Sequence, residues 1–207
     1  MAEWFRQYWP YAIGLVAACI VAFFVFRAAA RSSSQHKKRY KQEEEYITRL
    51  KALKEKYVPL TREAAEAAPD EELLEGTALG IQLFLQKKDD IEKEFLALSK
   101  ERKLVYTLDV FVSDKTLDSF FRSNSEILKS RLVPALLAVG LEAQAERILP
   151  VAKMFDDKDE ETSLDQKKIA ELDNELENEG FLSFIKLSAA KYIKENVEAF
   201  VAPFGEG

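Results

Sequence analysis

The sequence predicts an all-α protein, with a single N-terminal transmembrane helix followed by an α-helical bundle domain. Three observations carry this reading. Residues 9–26 hold no charged side chain. The remainder places apolar residues three or four apart, with no sustained two-residue alternation of the kind strands show. No Asn-Gly or Asp-Gly dipeptide marks a hairpin.

Taking the elements in order, Tyr11 to Phe26 is an apolar run broken only by Gly14. With Trp9, Pro10 and the Ala28–Ala30 stretch it reaches the roughly 17–25 residues a membrane span needs. Tyr8, Trp9 and Tyr11 form an aromatic collar at one end, where amphipathic rings favour the headgroup layer. Arg27, Arg31, Lys37, Lys38, Arg39 and Lys41 follow the run, a basic cluster suited to anionic lipid at the membrane surface. The side carrying more Lys and Arg faces the cytoplasm. The expected arrangement is therefore a single-pass protein of a bacterial inner membrane, with its C-terminal domain in the cytoplasm. Two competing readings are a cleaved signal peptide, with Ala28-Ala29-Ala30 as the cleavage site, and a buried core helix. The stop-transfer-like basic cluster argues against the first. Against the second, a helix apolar all round has little reason to sit in a small soluble core.

Residues 1–31 are thus read as the anchor, 32–60 as a basic juxtamembrane linker with an amphipathic helix, and 61–207 as an acidic helical domain. In the linker, Tyr46, Ile47, Leu50, Leu53 and Tyr57 make one apolar stripe from about His36 to Tyr57. A short helix is expected over Thr61–Ala68. Asp70 is expected to cap the next helix, with Leu73, Leu74, Ala78, Ile81 and Leu85 facing inward. One helix is predicted from Asp90 to about Phe111, with Ile91, Phe95, Leu98, Val105, Leu108 and Val112 at helical spacing. Ser113 is read as the N-cap of a segment over Lys115–Ser123. Ser125 is read as the cap of a helix that Pro134 kinks or restarts and Gly140 ends. Leu141–Phe155, Ser163–Glu177 and Leu182–Phe200 complete the series.

Composition narrows the chemistry. One Cys and one His among 207 residues cannot make an internal disulfide or a His/Cys zinc site. No Gly-rich phosphate loop or Gly-x-Ser-x-Gly elbow is present. His36 sits in the basic stretch, where a solvated ring is the ordinary reading, and adjacent carboxylates such as Asp89-Asp90 diverge on a helix or loop. Asp109 and Asn124 read as structural, an Asn at such a place being a fastener of a helix turn. No enzyme, metal or cofactor is expected.

Charge divides the chain. Residues 1–41 carry a net +6, and residues 42–207 a net −12. Asp156 to Glu179 alone holds 11 acidic residues against three Lys. An acidic surface disfavours direct binding of nucleic acid and suits a basic protein partner. The candidate partner-binding residues are Asp156, Asp157, Asp159, Glu160, Glu161, Glu171, Asp173 and Glu175.

The stretch Val105-Tyr106 through Leu108-Asp109, then Phe120-Phe121-Arg122-Ser123-Asn124-Ser125, then Ala135-Leu136, Val139-Gly140-Leu141 and Ala145 to Ile148, resembles the core signature of the bacterial DNA-mimic protein domain family. The closing stretch from Leu172-Asp173 to Phe200, with Tyr192-Ile193 and Asn196, is similar to that family's last helix. Together these cover about half of the chain. Where the family carries a Gly-bearing turn, this sequence has Ser113-Asp114-Lys115-Thr116. The resemblance implies an all-helical fold and, for the family's namesake, carboxylates spaced like DNA phosphates that occupy a DNA-binding protein. The leading expectation is a non-catalytic, membrane-anchored interaction module. The alternative is a DNA-mimic or toxin-immunity protein covering the basic surface of a nucleic-acid-binding partner.

Overall fold

The computed structural model describes residues 41, 43–156 and 165–204, and every regular element among them is helical. Residues 43–57 form α1. The others are α2 (Arg62–Ala67), α3 (Asp70–Leu85), α4 (Ile91–Ala97), α5 (Lys100–Asp114), α6 (Leu117–Ser123), α7 (Glu126–Lys129), α8 (Leu132–Ala138), α9 (Glu142–Asp156), α10 (Gln166–Asn178), α11 (Phe181–Glu195) and α12 (Val197–Val201). The expected anchor and the basic residues Arg27, Arg31, Lys37, Lys38 and Arg39 lie outside the described residues. Among the described residues no helix is long and apolar enough to cross a membrane.

The chain divides into two compact units, residues 1–51 and 52–207. In the first, Thr48 bonds back to the Glu44 carbonyl, Lys41 lies 3.7 Å from Glu45, and Tyr46 and Ile47 are exposed.

In the second unit α3, α5 and α11 pack on one another at the centre, α8 covers α5, and α9 lies against α8. The inward stripe read from the sequence makes this core: Leu73, Leu74, Ala78, Ile81 and Leu85 are buried on α3, as are Leu104, Val105, Leu108 and Phe111 on α5. α11 adds Ile185, Ala189, Ala190 and Ile193. Two alanines on α11 let its backbone approach close to α3, on which Gly76 in turn leaves room for the Tyr57 ring. A Cβ at Gly76 would fall inside 3.0 Å of that ring.

Helix ends follow local hydrogen bonding more closely than apolar periodicity. The helix expected from Asp90 to Phe111 is two. Leu98 is extended, and the Ser99 side chain accepts from Arg102 N–H at 3.3 Å, capping α5. Ile91, the first residue of that spacing, is exposed on the first turn of α4. Ser113 does not cap the following segment, because α5 runs on through Asp114; the cap is Thr116, whose side chain accepts from Ser119 N–H. Asp70 is the first helical residue after Pro69 and caps nothing with its side chain. Ser125 stands at the N-cap of α7 without a side-chain bond. Pro134 falls in the first turn of α8, where a missing N–H costs nothing, so the chain restarts there. Asp165 caps α10, which begins at Gln166; Ser163, the expected start of this segment, lies outside the described residues. Asn196 ends α11 and bonds back to the Tyr192 carbonyl, so the expected helix over Leu182–Phe200 is also two.

Candidate partner-binding surface

The acidic surface is built on α10. Asp165 accepts from Lys168 N–H at 3.0 Å to start it. Gly180, at φ +72, turns the chain out at the end, a left-handed conformation that glycine adopts without a Cβ penalty. Ile169 and Leu176 are buried, seven residues apart, so they lie on one stripe and leave the acidic residues around the rest of the helix.

The eight acidic residues read from the sequence are placed in different ways. Asp156 is the last residue of α9, and Asp157, Asp159, Glu160 and Glu161 lie outside the described residues. Glu171 is exposed, 3.7 Å from Lys167 one turn earlier. Asp173 points into the domain, where its carboxylate accepts the Leu117 N–H at 2.7 Å and so satisfies the first turn of α6. Burial raises its pKa, opposed by the backbone N–H groups of Leu117 and Asp118. Glu175 and Glu179 converge on Arg147 of α9. Its Nη2 donates to Glu175 at 2.9 Å and its Nη1 to both Glu179 oxygens at 2.8 and 2.9 Å. Bonds to Glu179 raise the Arg147 pKa. Asp173 and Glu175 therefore serve the fold, while Glu171 and Glu177 present their charge outward.

Beside α10 lies a cleft of about 420 Å³ with an apolar floor of Phe111, Leu176 and Phe181 and a rim of Lys115, Asn174 and Glu177. Its position follows from the turn after α5. Lys115 sits at φ +68, a left-handed conformation that costs a residue with a Cβ roughly 1–2 kcal/mol. The turn is fastened by Asn124, whose side-chain amide donates to Asp114 at 2.6 Å and to the Phe120 carbonyl at 2.9 Å. Behind it Phe120 meets Phe111 and Phe121 edge-on, and Phe121 stacks on Phe155 at 5.0 Å.

Three polar groups stand out that sequence reasoning did not single out or read as ordinary structure. Arg102, buried on α5, donates to the carbonyls of Phe200, Ala202 and Pro203 and lies over the Phe204 ring at 4.2 Å. In the sequence it is one charge of a Lys-Glu-Arg-Lys run that reads as solvent-facing. Thr77, in the middle of α3, is buried and its hydroxyl has no partner. Asp109 sits where α5 meets α3 and α11. Burial, with Glu75 adding to it and Lys186 opposing, pushes its pKa up to about 7. Among the described residues no three His, Cys, Asp or Glu side chains cluster as metal ligands.

No family model, curated protein or solved structure matches this chain.

Proposed function

We propose that this chain is a membrane-anchored, non-catalytic interaction module whose acidic surface around α10 docks a protein with a basic face. The observation that carries the reading is the concentration of charge. Eleven carboxylates fall within Asp156–Glu179, and Arg147 takes up only Glu175 and Glu179. Glu171 and Glu177 stay on the exposed side of a helix anchored by Ile169 and Leu176. The uncharged run over residues 9–26 and the basic cluster after it support the tether and a cytoplasmic domain. Tethering raises the local concentration of any partner held at the same membrane.

The second reading is a DNA-mimic or immunity role. It is supported by the turn after α5: Lys115 takes the left-handed conformation that a glycine would supply at that point of the DNA-mimic family's pattern. Beside the aromatic pair Phe120-Phe121, Asn124 donates to Asp114 at the end of α5. Recovering the partner from membranes and adding duplex DNA separates the two. A mimic and DNA compete for one surface, so DNA would release the partner. A scaffold's partner would stay bound at moderate salt.

A further inference from the structure

A second cavity, about 280 Å³, opens between α3, α5, α12 and the turn after α1. Its walls are apolar, formed by Val58, Ile81, Phe200 and Phe204 with the Tyr57 ring. Two polar residues, Thr77 and Arg102, also line it. The Thr77 residue is 6% exposed and its hydroxyl has no hydrogen-bond partner. Helical threonines ordinarily bond back one turn, as Thr107 does to the Lys103 carbonyl at 2.8 Å and Thr48 to Glu44. Thr77 does not. A buried polar group left unpaired calls for a reason.

The other group is the Arg102 guanidinium. The residue is 4% exposed, and no carboxylate among the described residues pairs with it. Its partners are three neutral carbonyls at the end of α12 and the face of Phe204. The carbonyl dipoles take three hydrogen bonds from its five N–H groups without cancelling its charge, and burial lowers its pKa. A cavity thus holds one buried positive charge, one unpaired hydroxyl and apolar walls.

We propose that this cavity binds a medium-chain monocarboxylate, with the carboxylate between Arg102 and the Thr77 hydroxyl and the alkyl chain along Ile81 and Phe200. The anion supplies the missing counter-charge and accepts the unpaired O–H. At roughly 30 Å³ for a water-sized group, the space suits about nine or ten non-hydrogen atoms. Octanoate has that size. Phe204 stacks on Phe84 at 4.4 Å and 9°, and with the C-terminal segment it closes one side of the site.

Because Arg102 also clasps the end of α12, its replacement would mix folding with binding, and the test uses other positions. Octanoate and 1-octanol are titrated by calorimetry into the full-length protein in nanodiscs, with empty nanodiscs subtracted. Gly80 lines the cavity and a Cβ there meets Val58 at an ordinary 3.6 Å, so Gly80→Leu fills the space. Thr77→Val keeps the shape and removes the hydroxyl. The expected result is saturable binding of one octanoate, at least tenfold weaker for octanol, weakened threefold or more by Thr77→Val and abolished by Gly80→Leu, with unchanged circular dichroism in both variants. No saturable binding, equal binding of octanol, or equal binding by wild type and the folded variants would overturn the proposal.

Discussion

Asp109 offers the sharpest test of the core. It lies where three central helices meet, and its carboxyl is pushed from an ordinary 3.8 to about 7 by burial, with Glu75 of α3 adding to the effect and Lys186 of α11 opposing it. The folded state therefore holds a proton that the unfolded chain releases. The stabilising contribution is fully present at low pH and is lost as pH rises through about 7. For these two values the loss between pH 5 and pH 8 is about 2.5 kcal/mol. Residual solvent contact brings the expectation to about 1–2 kcal/mol. Asp109→Asn keeps the shape and cannot ionise. Urea unfolding followed by circular dichroism at pH 5 and pH 8, on both proteins, gives the comparison. The unfolded chain already ionises below pH 5, so the variant's margin over the wild type should widen between pH 5 and pH 8 by the stated amount. If the difference between the two proteins does not change with pH, or narrows from pH 5 to pH 8, the assignment of Asp109 as a half-buried acid with a raised pKa is wrong.

Three further outcomes follow from particular contacts. Lys115→Gly relieves the left-handed backbone at φ +68 and should raise stability by about 0.5–1 kcal/mol, seen as a thermal midpoint about 2–4 °C higher. Gly76→Ala places a methyl against the Tyr57 ring and should cost about 1–3 kcal/mol by denaturant unfolding, whereas Gly80→Ala, whose methyl would meet Val58 at an ordinary 3.6 Å, should be neutral or slightly stabilising. Asp173→Ala removes the acceptor of Leu117 N–H and should cost about 1 kcal/mol in the same assay. Asp173→Asn retains an acceptor without a buried charge and should stay within about 0.5 kcal/mol of the wild type.

The helical class and most of the core were legible because burial repeats every three or four residues. Leu73 through Leu85 on α3 and Leu117, Phe120 and Phe121 on α6 are inside as that spacing requires. Periodicity says little about ends. Ser99 and Asn196 interrupt apolar stripes that continue across them, because a side-chain cap outweighs one more helical turn. Ser113 and Thr116 are both capping residues three apart. Only the left-handed backbone at Lys115, which a lysine does not advertise, selects the second. Leu137 fits the spacing of a core residue yet is exposed, since α8 is short and buries only Leu132, Ala135 and Leu136. Of the acidic candidates, charge density marked the surface but could not separate Glu171, facing outward, from Asp173 and Glu175, which bond to α6 and to Arg147. Arg102 was hidden for the same reason: its role depends on carbonyls about a hundred residues away in sequence.

The central claim is that the acidic surface docks a partner at the membrane. The direct measurement is affinity recovery from detergent-solubilised membranes with the full-length protein, beside a variant in which Asp156, Asp157, Asp159, Glu160 and Glu161 become Lys. The account predicts a protein with a basic face, recovered by the wild type and lost by the charge-reversed chain at unchanged circular dichroism. Recovery of the same partners in equal amounts by both proteins would contradict it and leave the acidic run as solvated surface.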